Sequence, residues 1–320
     1  MRLALWTPNH WHTWFGLGLL RLIQPLSYRA KLRLGRGIGR VFQRLPLAYV
    51  RIARCNIELC FPTWSLEDRE KLLSDHCESV GTALCESAMA WWGTDQSIRD
   101  LVVVEGEEHL AAAKARGKGV ILVGGHFTTI EFATRVLSLL TPLSALYRPP
   151  KNKVLAAFFE NHFERHIKRA IAYDDIRALI RALKENGAVW YAPDQSYRNK
   201  GAAMVQFFGV PAATTTATSR LAKITGASVI TYFPQRLPGN QGYKVVLSPA
   251  LQDFPSDDAV ADSERFNRLL EAQIKRVPNQ YMWMHRRFKG LSGDYPDYYG
   301  RDSRCKREAA QAQARKSQQP

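Results

Sequence analysis

The sequence lacks several features that would each decide its class. It contains no run of eighteen consecutive apolar residues, which excludes a polytopic membrane protein. Five cysteines in 320 residues, without a C-x-x-C pair, do not make a disulfide scaffold or a zinc-binding pattern. The pattern G-x-S-x-G is also absent, which disfavours serine hydrolase chemistry. The remaining composition, 46% hydrophobic and 23% charged, is typical of a globular protein.

Acidic residues are missing from the first 54 positions, where ten Lys and Arg residues give a charge of +10. The last twenty residues carry +4, so residues 55–300 carry only +2 of the formal +16. This asymmetry is typical of proteins that bind an anionic surface, either nucleic acid or an acidic membrane. We expect no nucleic-acid partner, because a groove for nucleic acid needs basic residues within the folded body.

The N-terminal segment favours the membrane. Residues 11–26 read WHTWFGLGLLRLIQPL, an aromatic and aliphatic stretch that a polybasic flank follows. Because Arg21 interrupts the short stretch, the pattern predicts an interfacial or shallowly inserted helix on the cytoplasmic side. A helix buried in the main domain is the alternative. The predicted organisation is an anchoring segment at 1–54, a catalytic domain at 55–300 and a basic, disordered tail at 301–320.

Strands and helices alternate through the body of the chain. This alternation predicts an α/β fold, with a mixed central sheet flanked by helices. The continuous apolar run at 120–123 between two glycines indicates a strand that is buried on both faces. Further strands are predicted at 101–104, 143–147, 188–192, 228–233 and 243–247, and helices include 153–170 and 214–225.

The strongest chemical signal follows the buried strand. Gly124 and Gly125 allow a sharp turn and a close approach to a ligand, and His126 comes next, before a predicted helix. Glu131 lies five residues further on and is predicted to contact Nδ1, which would leave Nε2 of His126 as a general base. Such a base needs no nucleophilic side chain if the substrate supplies a hydroxyl. The alternative is a loop histidine followed by a charge at the start of a helix.

Other candidates are cationic or aromatic. Arg148, Arg165 and Arg169 match phosphate groups in chemistry, and the alternative for these residues is a solvated helix face. Asp194 follows a strand and is either a site residue or a turn residue. The run His285–Arg287 predicts either a cationic patch or a partner for nearby carboxylates. Trp91 and its neighbour Trp92 are predicted to pack in the core or to line an acyl groove.

Several ordered motifs together resemble one family. They are H-x4-E at His126–Glu131, Tyr147-Arg148-Pro149, the run at 189–194 (VWYAPD), the run at 211–216 (PAATTT) and the run at 280–289 (QYMWMHRRFK). These motifs resemble the bacterial lipid A late acyltransferases, within the wider glycerolipid acyltransferases that share an H-x4-D/E dyad. The resemblance runs from the N-terminal aromatic block to about residue 290.

The resemblance implies a function and its partners. The expected reaction moves a fatty acyl chain from acyl carrier protein to the 3-hydroxyl of a hydroxyacyl chain on a Kdo-bearing lipid A precursor, at the cytoplasmic face of the inner membrane. His126 would act as base and Glu131 would orient it, with Asp194 and either Arg165 or Arg169 also in the site. No metal and no organic cofactor is implied. The alternatives are an acyltransferase for another lysophospholipid or glycolipid and, more remotely, a non-catalytic binder of polyanions or membranes.

Overall fold

The computed structural model describes residues 7–300, without the side chains of Phe163 and Glu164. The tail predicted at 301–320 lies outside the described residues, as do the first six positions of the predicted anchoring segment. The α-helices, in chain order, are α1 (Trp11–Ile23), α2 (Tyr28–Arg44), α3 (Ala48–Cys60), α4 (Leu66–Trp92), α5 (Asp95–Arg99), α6 (Glu107–Ala115), α7 (Ile130–Leu140), α8 (Lys153–His166), α9 (Ile176–Lys184), α10 (Ala217–Thr225) and α11 (Ala259–Arg276).

The strands form one large sheet and one hairpin. They are β1 (Val102–Glu105), β2 (Val120–Val123), β3 (Leu143–Tyr147), β4 (Arg169–Ala172), β5 (Ala188–Tyr191), β6 (Ala202–Phe207), β7 (Val210–Thr215), β8 (Ser228–Arg236) and β9 (Tyr243–Leu247). The large sheet has seven strands in the order β1-β9-β8-β2-β5-β3-β4, and β6 pairs with β7. Strand β9 is antiparallel to β8, whereas the neighbours from β8 to β4 run parallel. The predicted mixed α/β sheet is confirmed.

Strand β2 lies in the middle of this sheet, and all four of its residues are buried. Alternate side chains of a strand point to opposite faces. Ile121 and Val123 join a core cluster that includes Leu270 of α11, whereas Val120 and Leu122 join a second cluster that includes residues of α6 and α7. Helices therefore cover both faces of the sheet, as the continuous apolar run predicts.

The N-terminal helices pack on α4. Leu17 of α1 is buried against Trp91, and α2 approaches α4 closely because both carry glycine where they cross. A Cβ atom on Gly39 would overlap the carbonyl of Cys77, and one on Gly81 would overlap the backbone of α2. Among residues 7–300, no helix is both long enough and apolar enough to cross a bilayer.

Two of the predicted helices include residues that belong to a strand in the structure. The predicted helix at 153–170 ends at His166, and Arg169 begins strand β4 instead. The helix predicted from residue 214 begins at Ala217, because the preceding residues pair with β6 in a hairpin. Strand β7 pairs with β6, its neighbour in the chain, whereas β4 pairs with the more distant β3 and the amide of Lys168 donates to the carbonyl of Leu143. Local patterns do not reveal such partners.

Candidate active site

The candidate site lies at the carboxyl end of β2, where His126 leaves the sheet. The turn before it is tight: a Cβ atom on Gly125 would lie 2.5 Å from the side chain of Leu270 and 3.4 Å from Oδ2 of Asp194. An added side chain at residue 125 would therefore require the buried Leu270 to move, whereas its distance to Asp194 would be an ordinary contact. The placement of His126 after a central strand agrees with the sequence prediction.

The carboxylate of Asp194 holds the imidazole of His126. Oδ1 of Asp194 lies 2.5 Å from Nδ1 of His126, and Oδ2 accepts a hydrogen bond from the backbone N–H of His126 at 2.8 Å. Asp194 follows β5, which pairs with β2, so the carboxyl ends of the two strands bring these residues together. Because a carboxylate only accepts hydrogen bonds, Nδ1 carries a hydrogen, and in the neutral form of the ring the lone pair is therefore on Nε2.

Burial and charge act in opposite directions on Asp194, whose side chain is 1% exposed. Burial alone raises the pKa of this carboxyl group. The charge of His126 and the hydrogen bonds from its ring and backbone outweigh burial, with a smaller contribution from Arg287, and bring the pKa of Asp194 to about 2. Asp194 is therefore an anion at neutral pH, which stabilises a positive charge on His126 when the ring takes up a proton.

Two further side chains surround the other nitrogen of the ring. Nε2 of His126 lies 3.0 Å from Nε2 of Gln195, which also lies 3.3 Å from Nε2 of His285. The two imidazole rings are 5.3 Å apart between centroids and nearly perpendicular. Gln195 is exposed and 21% of the His126 side chain is accessible, so this side of the imidazole faces solvent.

Backbone pairing with a distant segment fixes the loop after β2. The amide of Met282 donates to the carbonyl of His126 at 2.8 Å, and the amide of Thr128 donates to the carbonyl of Gln280 at 2.7 Å. Phe127, between them, forms an isolated β-bridge with Tyr281 and is fully buried. The motif at 280–289 therefore belongs to the site through its backbone as well as through His285.

A buried ion pair supports the same loop from α4. Arg236 and Glu86 make two hydrogen bonds, at 2.6 and 2.8 Å, and Arg236 also donates to Oγ of Ser79 at 2.9 Å. The hydroxyls of Ser79 and Thr128 lie 2.7 Å apart and share a hydrogen bond. Because buried networks of this kind are rigid when every member is satisfied, the backbone two residues after His126 has a fixed position.

Glu131 does not occupy the position predicted for it. The hydrogen bond of its Oε2 comes from the indole N–H of Trp91 at 3.1 Å, and the Nδ1 position of His126 belongs to Asp194. Glu131 lies in the first turn of α7, which packs on α4, so its side chain meets a residue of α4. Burial raises the pKa of Glu131, and the hydrogen bond from Trp91 opposes this rise only in part.

The three candidate arginines lie in different surroundings. Arg148 follows β3 and lies at the carboxyl end of the parallel strands, as His126 does. Its guanidinium carbon is 4.9 Å from the ring centroid of Tyr173. Arg169 is the first residue of β4 and therefore lies at the opposite end of the strands, the amino end. There its guanidinium approaches the carboxylate of Glu185 at 3.7 Å. Arg165 is exposed in the last turn of α8, which leads into the amino end of β4. The structure thus places Arg148 at the same end of the sheet as His126, and Arg165 and Arg169 at the opposite end.

Arg287 is buried rather than part of a surface patch. It donates to the carbonyl of Ala213 at 2.9 Å and to Oγ1 of Thr214 at 2.7 Å, and its guanidinium carbon lies 5.1 Å from the ring centroid of Phe207. Its charge contributes to the low pKa of Asp194. Neither prediction for the run 285–287 describes Arg287, which is buried, bonds to Ala213 and Thr214 and acts on a carboxylate only through its charge at Asp194, whereas Arg286 is exposed.

An aromatic cluster lies between α1, α4 and α8. Trp91 makes edge-on contacts with Trp92, Phe158 and Phe159, with centroid distances of 4.9 to 5.7 Å. Leu17 of α1 packs on the same cluster. Since Trp91 also donates to Glu131, the cluster adjoins the first turn of the helix that follows the His126 loop.

Comparison with known proteins identifies the family. The family model described as bacterial lipid A biosynthesis acyltransferase matches residues 2–290. The chain belongs to this family. It is similar to the lipid A biosynthesis palmitoleoyltransferase of Escherichia coli K12, with 38% identity over 88% of this chain and 92% of the relative. It is similar to the lauroyltransferase of the same organism, with 37% identity over 92% of this chain and 97% of the relative.

A more distant relative is the lipid A biosynthesis myristoyltransferase of Escherichia coli K12, which is 24% identical over 87% of this chain and 86% of its own length. The match to these lipid A acyltransferases confirms the resemblance seen in the motifs. The protein is an acyltransferase.

Proposed function

We propose that this acyltransferase moves a fatty acyl chain from acyl carrier protein to the 3-hydroxyl of a hydroxyacyl chain on a Kdo-bearing lipid A precursor, with His126 as general base. The observation that carries the proposal is the contact between Nδ1 of His126 and Asp194. It leaves the lone pair of Nε2 on the accessible side of the ring, where an incoming hydroxyl can bind.

The proposed reaction needs no acyl-enzyme. Nε2 of His126 removes the proton of the acceptor hydroxyl as its oxygen attacks the thioester carbonyl carbon, and Asp194 stabilises the imidazolium that forms. The tetrahedral intermediate then collapses, the carbon–sulfur bond breaks, and the thiolate takes the proton from Nε2. The acyl group ends on the acceptor oxygen and the histidine returns to its neutral form.

Cations near the site support an acidic donor and a phosphorylated acceptor. Arg198 and Lys200 follow Gln195 closely in the chain and are exposed, and Arg286 is exposed next to His285. Acyl carrier protein is acidic, so these cations suit its approach. Arg148 at the end of β3 suits a phosphate or sugar acid of the acceptor, because guanidinium binds such groups in a bidentate manner.

One face of α1 supports an interfacial location at the cytoplasmic side of the inner membrane. Phe15, Leu19 and Leu22 are 69%, 47% and 71% exposed and follow one another at helical spacing, whereas Leu17 is buried against the domain. Exposed apolar side chains that are followed in the chain by exposed basic residues such as Arg29 and Arg33 suit a helix that lies in a bilayer surface.

An acyltransferase for another lysophospholipid or glycolipid is the second candidate, since the proposed chemistry requires only a hydroxyl and a thioester. The remote alternative, a non-catalytic binder, does not agree with membership in an enzyme family.

The test consists of two parallel assays of the full chain, each with acyl-acyl carrier protein as the donor. The acceptor is Kdo-bearing lipid A precursor in one assay and lysophosphatidate in the other. Mass spectrometry should detect acylation of the lipid A precursor, and His126→Ala should abolish it while the circular dichroism spectrum is unchanged. Acylation of lysophosphatidate alone would support the second candidate. Near-normal turnover by His126→Ala would refute the mechanism.

A further inference from the structure

The amide group of Gln195 bridges the two imidazole rings of the site. Its nitrogen lies 3.0 Å from Nε2 of His126 and 3.3 Å from Nε2 of His285. A carboxamide nitrogen carries two hydrogens, which is enough to donate one hydrogen bond to each ring. Gln195 directly follows Asp194, so the residue that fixes His126 also sets the backbone from which the amide reaches over it.

The orientation of this amide follows from the tautomer of His126. Asp194 accepts a hydrogen bond from the N–H at Nδ1, so Nε2 of the neutral His126 ring is an acceptor and must face the amide nitrogen rather than the amide oxygen. His285 fits the same orientation, because burial and the nearby His126 lower its pKa to about 4 and keep it neutral. In the tautomer with its hydrogen on Nδ1, the neutral His285 ring accepts from this amide at 3.3 Å, as His126 does at 3.0 Å.

An acceptor hydroxyl that binds Nε2 of His126 must take the place of one of these hydrogen bonds. The second hydrogen bond, to His285, remains and keeps the amide beside the base. The freed N–H would then be available to the carbonyl oxygen of the thioester, which becomes negative beside the attacking oxygen.

We propose that Gln195 is a catalytic residue that donates a hydrogen bond to the oxyanion of the tetrahedral intermediate, and that His285 is the positioning residue that holds its amide. This inference rests on the proposed function. As the hydroxyl oxygen bonds to the carbonyl carbon, the π electrons of the carbonyl move to its oxygen, and the amide N–H of Gln195 stabilises that charge. When the carbonyl forms again, those electrons return, and the sulfur leaves with the electrons of the carbon–sulfur bond.

The backbone around His285 suits a positioning role. Its carbonyl accepts a hydrogen bond from Nδ2 of Asn56 at 2.6 Å and another from the amide of Arg287 at 2.8 Å. Asn56 is buried in α3 and its Oδ1 accepts from the hydroxyl of Tyr299 at 2.5 Å. Because these bonds use the backbone, the side chain of His285 can be removed without disturbing them.

The first test measures Gln195→Ala and Gln195→Glu in the full chain, with acyl-acyl carrier protein and the Kdo-bearing precursor. Both variants lack the amide N–H, so kcat should fall by about 10²- to 10³-fold with little change in KM, as for other oxyanion donors. Gln241→Ala, at an exposed glutamine far along the chain, is the matched control and should keep the wild-type kcat. A higher KM with an unchanged kcat in Gln195→Ala would overturn the inference.

The second test examines His285. His285→Ala should lower kcat, and the double variant with Gln195→Ala should be no slower than Gln195→Ala alone, because the positioning residue acts only through the amide. Fully additive losses would overturn the positioning role. Normal kcat in Gln195→Ala beside an inactive His126→Ala would refute this inference alone, whereas an inactive wild-type enzyme would refute the proposed function.

Discussion

Asp194 contacts His126 at two points, the ring nitrogen Nδ1 and the backbone N–H. One carboxylate therefore controls both the tautomer of the imidazole and the path of the loop that carries it. The nearer carboxylate in sequence, Glu131, instead accepts a hydrogen bond from Trp91. The charge that supports the base comes from the neighbouring strand.

This arrangement predicts that the two carboxylates respond differently to neutralisation. Asp194→Asn should lower kcat by about 10³- to 10⁴-fold, because the base loses the anion that fixes its tautomer and stabilises the imidazolium. Glu131→Gln should lower kcat by a smaller factor, because the amide oxygen of glutamine still accepts the hydrogen bond from Trp91. Steady-state kinetics of both variants provide the measurement.

Asp253→Asn, at an exposed aspartate, is the control for these variants. Circular dichroism and thermal unfolding should show that each variant is folded. If Glu131→Gln is the more damaging of the two substitutions, the assignment of the orienting carboxylate to Asp194 is wrong.

The location of the site could be predicted from the sequence, but its internal contacts could not. Strand β2 was recognisable because four apolar residues lie between two glycines, and this placed His126 at the end of a buried strand. Its contact with Asp194 depends on β5 lying beside β2, which is a property of strand order. Local spacing favoured Glu131 because it lies only five residues away.

Other site residues had a weak signal or none. Gln195 follows the motif that ends at Asp194, and nothing in its residue type indicated a role at the base. His285 stood in a recognised motif, yet its approach to His126 depends on the backbone pairing between 126–128 and 280–282. Arg169 was assigned to a helix, because the four residues of β4 have no pattern that reveals their pairing with β3.

The crossing of α2 and α4 predicts opposite effects for two glycines of α2. Gly39→Ala should destabilise the protein by about 1–3 kcal/mol, because the new methyl group overlaps the backbone of α4 at Cys77. Gly37 has no atom within 4 Å of an added Cβ, so Gly37→Ala should stabilise by about 0.4–1 kcal/mol through the unfolded chain.

Chemical denaturation of the two variants measures the difference. Both substitutions replace glycine by alanine in the same helix. The gain in helix propensity is therefore the same for both and cancels when their free energies of unfolding are compared. Equal midpoints for Gly39→Ala and Gly37→Ala would contradict the close packing of α2 on α4.

Buried histidines predict a loss of stability in mild acid. Burial lowers the pKa of His76 to about 4, although its hydrogen bond to the carbonyl of Asn279 acts in the opposite direction. Between pH 6.5 and 4 the unfolded chain binds a proton that the folded protein does not, so stability falls as pH falls, with a slope of up to about 1.4 kcal/mol per pH unit for this group.

His76→Gln should reduce this slope, and the same substitution at the exposed His12 is the control. Denaturant midpoints at several pH values between 4 and 7 provide the measurement. Burial also lowers the pKa of His285 to about 4. His285 therefore adds a similar pH dependence of stability, and this part remains in the His76 variant. An unchanged slope in His76→Gln would show that the protonation of His76 does not limit stability.

The exposed face of α1 predicts which side chains attach the protein to a bilayer. Phe15→Ser with Leu22→Ser should weaken co-sedimentation with vesicles that contain anionic phospholipid, because each buried apolar side chain contributes about 1.5–3 kcal/mol to such binding. Deletion of residues 1–27 is a less specific test, since it would also uncover Trp91 in the core. Val103→Ser with Ile224→Ser removes two apolar side chains elsewhere that are also more than half exposed and is the matched control. If both pairs reduce sedimentation alike, or neither does, α1 is not the attachment surface.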